Sequence, residues 1–171
     1  MFYEMQYPRP WAPGGEHQLY REALEQIELI DRLGFDSAWA VEHHFLEEYS
    51  HCSAPEVFLA AAAGRTRQLR LGHGILQLPV GFTHPAKIAE RLATLDLVSD
   101  GRVEFGSGEG GSRMELEGFG VDESTKRDQW TEMLEQITDM MAMEPYPGYQ
   151  GRFVSMPARN VIPKWSTAEL H

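Results

Sequence analysis

The chain has few cysteines, no long apolar run and no excess of positive charge. Cys52 is its one cysteine, which excludes an internal disulfide and favours a reducing compartment, so a cytoplasmic protein is expected. No apolar stretch approaches the roughly 20 residues that cross a bilayer, and the segment Met1–Glu4 lacks the basic residues of a signal peptide. The net charge of −11 disfavours nucleic acid and anionic membranes as partners, because both would repel the chain.

The composition is that of a folded globular chain. Hydrophobic residues make up 42% of the 171 residues and charged residues 24%, a balance that separates this chain from disordered proteins. The length suffices for one hydrophobic core and is short for two ordinary domains. We therefore expect a single folded unit.

Short apolar runs alternate with longer segments whose apolar residues recur every three or four positions. The runs predict four strands: Phe2–Gln6, Asp36–Val41, Leu69–Leu78 and a strand that begins at Val103. The periodic segments predict helices: Glu16–Leu33, Ala54 to about Gly64, a helix that starts at Pro85, a turn over Met114–Leu116 and a helix from about Ser124. A hairpin is predicted over Tyr149–Met156. This alternation predicts an α/β fold with a parallel sheet built from βα units.

Two helix starts carry local signals. Ser53 and Glu56 have the spacing of a capping box, in which Ser53 accepts from the backbone N–H of Glu56 and Glu56 reaches back to Ser53. Pro85 suits a first helical turn, because the backbone N–H that it lacks would have no partner within the helix.

The second strand ends in a cluster of polar residues, Glu42, His43 and His44. Catalytic side chains of βα units lie at the C-terminal ends of strands, so this cluster is the first candidate site. Adjacent residues of an extended segment point to opposite faces, so at most one of the two histidines would face a given pocket. The simpler interpretation is an ordinary polar loop.

A metal-dependent hydrolase is a weaker alternative for the same stretch. Its ligands would come from residues close in sequence: Glu42, His43, His44, His51 and Cys52. Ligands on one face of a strand are spaced by two, and the spacing here is irregular. No metal is therefore expected.

Glycines interrupt the third strand and follow the fourth. Gly72 and Gly74 flank His73, a pattern typical of a strand bulge or of close packing against a neighbour. The glycine-rich segment Gly106–Gly111 fits a plain strand-to-loop turn as well as a phosphate cradle. Neither segment identifies a cofactor by itself.

A series of motifs runs through the chain: Gly34–Trp39, Glu42–Phe45, Leu71–Gly72 through Leu78–Pro79, Thr83–Pro85, Leu95–Asp96, Gly101–Arg102, Phe105–Gly108, Gly118–Val121, Gly151–Phe153 and Met156–Asn160 to Pro163–Lys164. In this order, the motifs resemble the bacterial luciferase-like monooxygenase family. The resemblance covers residues 1–164 as a luciferase-like half barrel, whereas residues 165–171 form a tail that does not match the family's continuation.

The resemblance implies the N-terminal half of a TIM (β/α)8 barrel, with about four parallel βα units. It implies an oxidoreductase that binds reduced FMN or a 5-deazaflavin at the C-terminal mouth of the barrel. The flavin would serve monooxygenation with O2, and the deazaflavin would serve hydride transfer, on a small organic substrate. A separate flavin reductase is a candidate partner.

The resemblance also assigns site residues. His43 matches the histidine that acts as acid or base near the flavin in luciferase-type members, and His44 matches the histidine used by the deazaflavin dehydrogenases. The Gly74–Ile75 bond matches the family's cis peptide, which packs against the isoalloxazine ring. The cofactor-binding candidates are Glu42, Gly74, Ile75, Gly106, Gly108 and Gly110.

Glu109 departs from the luciferase pattern. Luciferase-type members often carry an arginine there that helps to hold the FMN phosphate, and a carboxylate would repel that phosphate. Glu109 instead resembles the acidic residue that deazaflavin dehydrogenases place for proton transfer. His43, His44 and Glu109 are therefore the catalytic candidates, and both cofactors stay open.

Half a barrel leaves two strand edges and the inner strand faces without partners. Exposed edges and apolar faces drive association, so we expect a homo-oligomer or pairing with a second half barrel. Part of the cofactor site would lie in the other half, so the isolated chain should bind the cofactor weakly. The alternative is a truncated, catalytically silent half barrel that acts only through assembly.

Overall fold

The computed structural model describes residues 1–166 as four parallel strands with helices between them, followed by a further helix and a hairpin. The strands of the parallel sheet are β1 (Phe2–Tyr3), β2 (Ser37–Ala40), β3 (Arg70–Gln77) and β4 (Val103–Gly108). The helices are α1 (Gly15–Arg32), α2 (Pro55–Ala63), α3 (Pro85–Val98), α4 (Arg113–Gly118) and α5 (Lys126–Ala142). The antiparallel hairpin consists of β5 (Tyr146–Gln150) and β6 (Ser155–Arg159).

The strands lie in the sheet in the order in which they occur along the chain, and each neighbouring pair is parallel. This confirms the predicted α/β class with its parallel βα units. Four consecutive parallel strands are what one half of an eight-stranded barrel requires. The tail predicted over residues 165–171 falls mostly outside the described residues, which end at Ser166.

The hydrophobic core lies between the sheet and its helices. Successive side chains of a strand point to opposite faces, and on the helix side Ala38 and Ala40 of β2 and Leu71 of β3 are completely buried. The predicted apolar face of α3 is confirmed, since Ile88, Leu92 and Leu95 are each at most 3% exposed. The helices therefore cover one face of the sheet.

The opposite face of the sheet would line the interior of a complete barrel. Phe2 of β1 lies in register with Trp39 of β2, and Trp39 lies in register with Gly72 of β3. The Trp39 indole occupies the space that a Cβ at Gly72 would need. Phe2 remains 52% exposed, so part of this apolar surface is open to solvent.

Two local predictions are wrong. The first strand is Phe2–Tyr3 rather than Phe2–Gln6, and Met5 adopts a left-handed conformation with φ of 54° that does not continue a strand. No capping box forms at Ser53, because the N-cap of α2 is Ala54, without a side-chain hydrogen bond. Glu56 instead pairs with Arg91 of α3 at 3.0 Å.

Arg102, which precedes β4, ties together the loops at the N-terminal edge of the sheet. Its guanidinium donates to backbone carbonyls and one hydroxyl, on Ala63, Thr66, Leu69 and Ser99. The side chain is buried, and these acceptors satisfy it. The polar loops that follow the strands lie at the opposite, C-terminal edge of the sheet.

Helix α5 packs against α3 through Met133, Ile137 and Met140, which are all buried. The hairpin predicted over Tyr149–Met156 is confirmed with longer arms. Among the described helices, none combines the length and the apolar character that a membrane span requires.

Candidate functional site

The C-terminal ends of β2, β3 and β4 surround a cleft of about 310 Å³, here called the strand-end cleft. Strands of a parallel sheet end at one edge, so residues distant in sequence meet there. Most of the predicted site residues line it: Glu42, His43, Gly74, Ile75, Gly108, Glu109 and Gly110. His44 and Gly106 do not.

Glu115 of α4 is a buried hydrogen-bond acceptor at this cleft, and only 1% of the residue is exposed. Its Oε1 accepts the backbone N–H of His44 at 2.8 Å and Nε2 of Gln77 at 2.9 Å. The same oxygen lies 3.2 Å from Nδ1 of His43. A buried carboxylate is tolerated when its hydrogen bonds are made, and these contacts hold α4 against the ends of β2 and β3.

Glu115 also fixes the orientation of His43. Because Glu115 Oε1 is an acceptor, we assign the proton of the neutral imidazole to Nδ1, which leaves Nε2 as the nitrogen without a proton. Nε2 lies 4.0 Å from Oε2 of Glu4, and the ring meets Tyr49 edge-on with centroids 5.3 Å apart. His43 therefore has one nitrogen held by the protein and one available for chemistry.

His44 turns away from the strand-end cleft. Its Nε2 lies 3.2 Å from Oε1 of Glu42, and its ring packs edge-on against Phe119 with centroids 4.8 Å apart. The two histidine side chains diverge, as expected for neighbours in an extended segment. Of the two, only His43 lines the cleft.

Glu42 and Gln77 connect the end of β2 to the end of β3. Oε2 of Glu42 accepts the backbone N–H of Gln77 at 2.7 Å, and the backbone carbonyl of Glu42 accepts from Nε2 of Gln77 at 3.1 Å. Nε2 of Gln77 also donates to Glu115. These contacts make one wall of the cleft rigid.

Gly108 and Gly110 line the strand-end cleft, whereas Gly106 permits the close pairing of β3 and β4. A Cβ at Gly108 would lie 2.7 Å from the Ile75 side chain, and Gly110 has a φ of +77°, which side-chain-bearing residues rarely adopt. A Cβ at Gly106 would collide with the carbonyl oxygen of His73. Gly106 therefore permits β3 and β4 to approach each other and does not line the cleft.

The Gly74–Ile75 peptide bond is cis, as the resemblance implies. Both residues line the strand-end cleft. The pairing of β3 with β4 shifts between His73 and Leu76, which is the bulge anticipated for the glycine-flanked His73. Packing of this segment against a cofactor stays a prediction.

Glu109 lies at the rim of the cleft beside two cations of α5. Its Oε1 is 3.9 Å from Nζ of Lys126, and its Oε2 is 3.5 Å from Nη1 of Arg127. Lys126 also donates to the carbonyl of Gly110 at 2.8 Å. One carboxylate thus faces two cations, which offset the repulsion of a phosphate that Glu109 alone would cause.

Two buried groups next to the site have strongly shifted pKa values. Desolvation lowers the pKa of His73 to about 4, so its imidazole is neutral near pH 7. Burial, with smaller contributions from nearby glutamates, raises the pKa of Cys52 to about 12. A protonated thiol is a poor metal ligand. Within residues 1–166, no group of three or more His, Cys, Asp or Glu side chains is arranged to hold a metal ion.

Sequence reasoning missed Glu115, Gln77, Lys126 and Arg127. The contacts of Glu115 with His43 and His44 span 72 and 71 positions along the chain, so no local pattern reports them. The neighbouring Met114 is 55% exposed, and a glutamate in such a short helix is expected to lie at the surface. The available signal is that α4 closely follows the glycine-rich segment of the site.

Comparisons with known proteins identify the family. The model of the luciferase-like monooxygenase family matches residues 5–169. Limonene 1,2-monooxygenase of Rhodococcus erythropolis is 36% identical over 137 residues, which cover 79% of this chain and 35% of that protein. The oxygenase component of the flavin-dependent trigonelline monooxygenase of Acinetobacter baylyi is 32% identical over 127 residues, or 73% of this chain and 34% of that protein.

A solved structure agrees with these sequence matches. A monooxygenase from Streptomyces bottropensis superposes with a TM-score of 0.84 at 34% identity, over 88% of this chain and 45% of that one. The chain therefore spans less than half the length of the relatives that it matches. With the family model covering nearly the whole sequence, the chain belongs to the luciferase-like monooxygenase family.

Proposed function

We propose that this chain is the N-terminal half barrel of a flavin-dependent monooxygenase and that the strand-end cleft is its share of the cofactor site. The observation that carries the proposal is the convergence of Glu42, His43, Gly74, Ile75 and Gly108 on one cleft. The relatives support the reaction class, since a limonene monooxygenase and a flavin-dependent oxygenase component are both more than 30% identical.

The cleft suits one face of a planar ring system. Its surface lacks side-chain atoms at Gly74, Gly108 and Gly110, and Ile75 adds an apolar contact. A reduced flavin bound there would supply the electrons that activate O2. At about 310 Å³ the cleft is at the lower end of the roughly 300–1,000 Å³ usual for ligand sites, as expected when a second half must complete it.

His43 would hold and transfer a proton at this site. Imidazole is the side chain that changes charge near neutral pH, so it can act as acid and as base. The N–H at Nδ1 of His43 stays hydrogen-bonded to Glu115, while Nε2 takes up or releases the proton. The carboxylate of Glu115 stabilises the positive charge that protonation of Nε2 creates.

Reduced FMN and a 5-deazaflavin are both candidates for the cofactor. The positive charges of Lys126 and Arg127 offset the repulsion between the Glu109 carboxylate and the FMN phosphate. The rim position of Glu109 also leaves it available for the proton transfer that the deazaflavin alternative requires. Glu109→Gln separates the two, because it would strengthen the binding of a phosphate and weaken a reaction that needs the carboxyl group.

We propose a small apolar organic molecule as the substrate. Phe45, Phe82 and Phe119 form an aromatic surface beside His44, with centroid distances to Phe119 of 5.2 Å for Phe45 and 4.8 Å for Phe82. Phe45 is 53% exposed and so accessible to a ligand.

The relative named as an oxygenase component also suggests that a separate flavin reductase supplies the reduced cofactor.

The proposal is tested by titrating reduced FMN, oxidised FMN and the 5-deazaflavin into the purified chain while light scattering records its mass. We expect saturable, weak binding by an associated form. Ile75→Asp should weaken binding at least ~tenfold by placing a charge against the ring, whereas Ile162→Asp, at a residue that is 65% exposed, should not. Binding that is absent in every state of association, or insensitive to Ile75, would overturn the proposal.

A catalytically silent half barrel is the second candidate. It is favoured by the open apolar face around Phe2, which suits assembly. Such a protein would associate but bind no flavin or deazaflavin at saturating concentration. The same titration therefore separates the two functions.

A further inference from the structure

A second cavity of about 150 Å³ lies behind the strand-end cleft, between β3, the loop after β2 and the helices α2 and α3. We call it the inner cavity. Glu42 and Gln77 line both spaces and form the wall between them. His44 and His73 line the inner cavity but not the strand-end cleft.

The inner cavity is lined by a buried polar side chain without a partner. His73 is 0% exposed, and neither of its ring nitrogens has a hydrogen-bond partner within residues 1–166. The backbone of Glu104 approaches the ring and favours its charged form, without the geometry of a full hydrogen bond. Buried polar groups are almost always paired with protein or with ordered water. At about 30 Å³ per molecule, the cavity has room for several waters.

Glu42 borders both spaces and contacts His44. Its side chain is 14% exposed, and its Oε1 lies 3.2 Å from Nε2 of His44. The other charged groups are already paired: Glu56 with Arg91 on the cavity side, and Glu115 and Glu109 with their partners on the cleft side. Glu42 and His44 are therefore the titratable pair that spans the wall.

We propose that Glu42 is a proton-transfer residue that connects water in the inner cavity to the strand-end cleft. The proposal rests on the proposed function, because monooxygenation consumes protons at that cleft. In the proposed step the imidazolium form of His44 gives its Nε2 proton to the carboxylate Oε1 of Glu42, and the resulting Glu42 carboxyl group releases that proton toward the cleft. The neutral His44 then takes up a proton that solvent delivers through the water of the inner cavity, so the pair returns to its starting charge.

The alternative is that Glu42 is only structural, since its Oε2 also fixes the backbone of Gln77. The test therefore measures proton movement directly, on the whole chain with 15N-labelled histidine and without cofactor. Two quantities are recorded by NMR: the exchange rate of the His44 ring N–H with solvent, and magnetisation transfer from water to the His73 ring. The variants are Glu42→Gln and, as the matched control, Glu56→Gln, which lines the same cavity but not the cleft.

We expect water contact at His73, and exchange at His44 at least ~tenfold slower in Glu42→Gln, because the general base is lost. Glu56→Gln should stay within about twofold of the unmodified chain, since its carboxylate does not contact His44. Should Glu42→Gln fail to fold, Leu92→Phe fills the cavity from α3 and should slow the exchange with Glu42 in place. A dry His73, or equal exchange with and without the Glu42 carboxylate, would overturn the proposal. Failure to bind FMN would leave these signals unchanged, so the two proposals fail separately.

Discussion

Glu115 is the residue on which the geometry of the candidate site depends most directly. One of its carboxylate oxygens accepts from His44 and Gln77 and contacts His43, so it links the loop after β2 to β3. Hydrogen bonds to a charged group contribute roughly 1.5–3 kcal/mol when buried, and a donor left without a partner costs about as much. Its removal would therefore affect both the stability of the fold and the orientation of His43.

Glu115→Gln should lower the free energy of unfolding by about 2 kcal/mol, because the charged acceptor of several donors is replaced by a neutral amide. The His43 ring should also lose its single tautomer, which the 15N chemical shifts of the imidazole report. Glu117→Gln on the same helix is the control, since the Glu117 side chain is 65% exposed and pairs with Arg113 at the surface. An unchanged His43 spectrum in Glu115→Gln would mean that Glu115 does not set the tautomer.

Asp31, near the end of α1, is a second buried carboxylate with a defined task. Its two oxygens accept the backbone N–H groups of Arg67, Gln68 and Leu69, just before β3. Desolvation by itself would raise the pKa of Asp31, but these hydrogen bonds and the nearby Arg102 together lower it below 3.8. The folded state therefore favours the ionised carboxylate more than the unfolded chain does.

The stability that Asp31 contributes should depend on pH in a defined window. Because the folded pKa is lowered, this stability is complete above the unfolded value of 3.8 and is lost as pH falls through the folded pKa. Asp31→Asn should cost roughly 1.5–3 kcal/mol near pH 7, and the difference from the unmodified chain should shrink below pH 4. Urea unfolding at several pH values checks this, with the exposed Asp36→Asn as control. A difference that stays constant in acid would contradict the assignment.

At the scale of elements, the close approach of β3 to β4 determines the shape of the strand-end cleft. The strands are in register up to His73, and pairing resumes at Leu76 after the bulge. The carbonyl of His73 faces Gly106 at a distance that leaves no room for a Cβ. Gly111, five residues later, has no atom within 4 Å of a hypothetical Cβ. The two glycines therefore differ in what they allow, although both lie in the same glycine-rich segment.

Gly106→Ala should destabilise the fold by roughly 1–3 kcal/mol, because backbone atoms of β3 must move to admit the methyl group. Gly111→Ala should change the free energy of unfolding by less than about 0.5 kcal/mol. Urea denaturation of both variants measures the contrast. Equal effects at the two positions would mean that the segment tolerates side chains throughout and that the strand spacing is not set by Gly106.

The strands and helices could largely be predicted from the sequence, because each buries a face whose period is visible locally. The α3 face of Ile88, Leu92 and Leu95 is an example. The failures were at element ends. Met5 leaves the strand conformation, and Ser53 lies one residue too early to cap α2, which begins at Pro55. Such boundaries depend on contacts with other elements, here Glu56 with Arg91.

The candidate site was predictable only where a motif marks it. His43 was a candidate from its place at the end of β2, Gly74 and Ile75 were found through the resemblance, and the structure brings all three to one cleft. Glu115 and Gln77 were not found, because the partners that give them a role at the site are distant in sequence. The two cations beside Glu109 were missed for the same reason, since both come from α5.

For the whole molecule, the decisive feature is the sheet face that carries no helices. Phe2 and Trp39 give this inner face an apolar patch, and Arg70 pairs with Glu104 beside it, so the face carries no net charge from that pair. Within the described residues, β1 and β4 each pair with one neighbour only. Unpaired strand edges next to an apolar surface favour the addition of further strands.

The chain, produced alone, should therefore associate through its inner face. Phe2→Glu places a charge on that face and should weaken association at least ~tenfold, because a buried unpaired carboxylate is costly. Leu33→Glu is the matched control, since Leu33 is 65% exposed at the end of α1 and away from the inner face. Each copy carries a net charge of −11, so self-association should strengthen as salt screens the repulsion. Light scattering at several salt concentrations measures both effects. A compact monomer at every protein concentration would contradict this prediction. It would mean that the inner face is stable in water without a second half barrel packed against it.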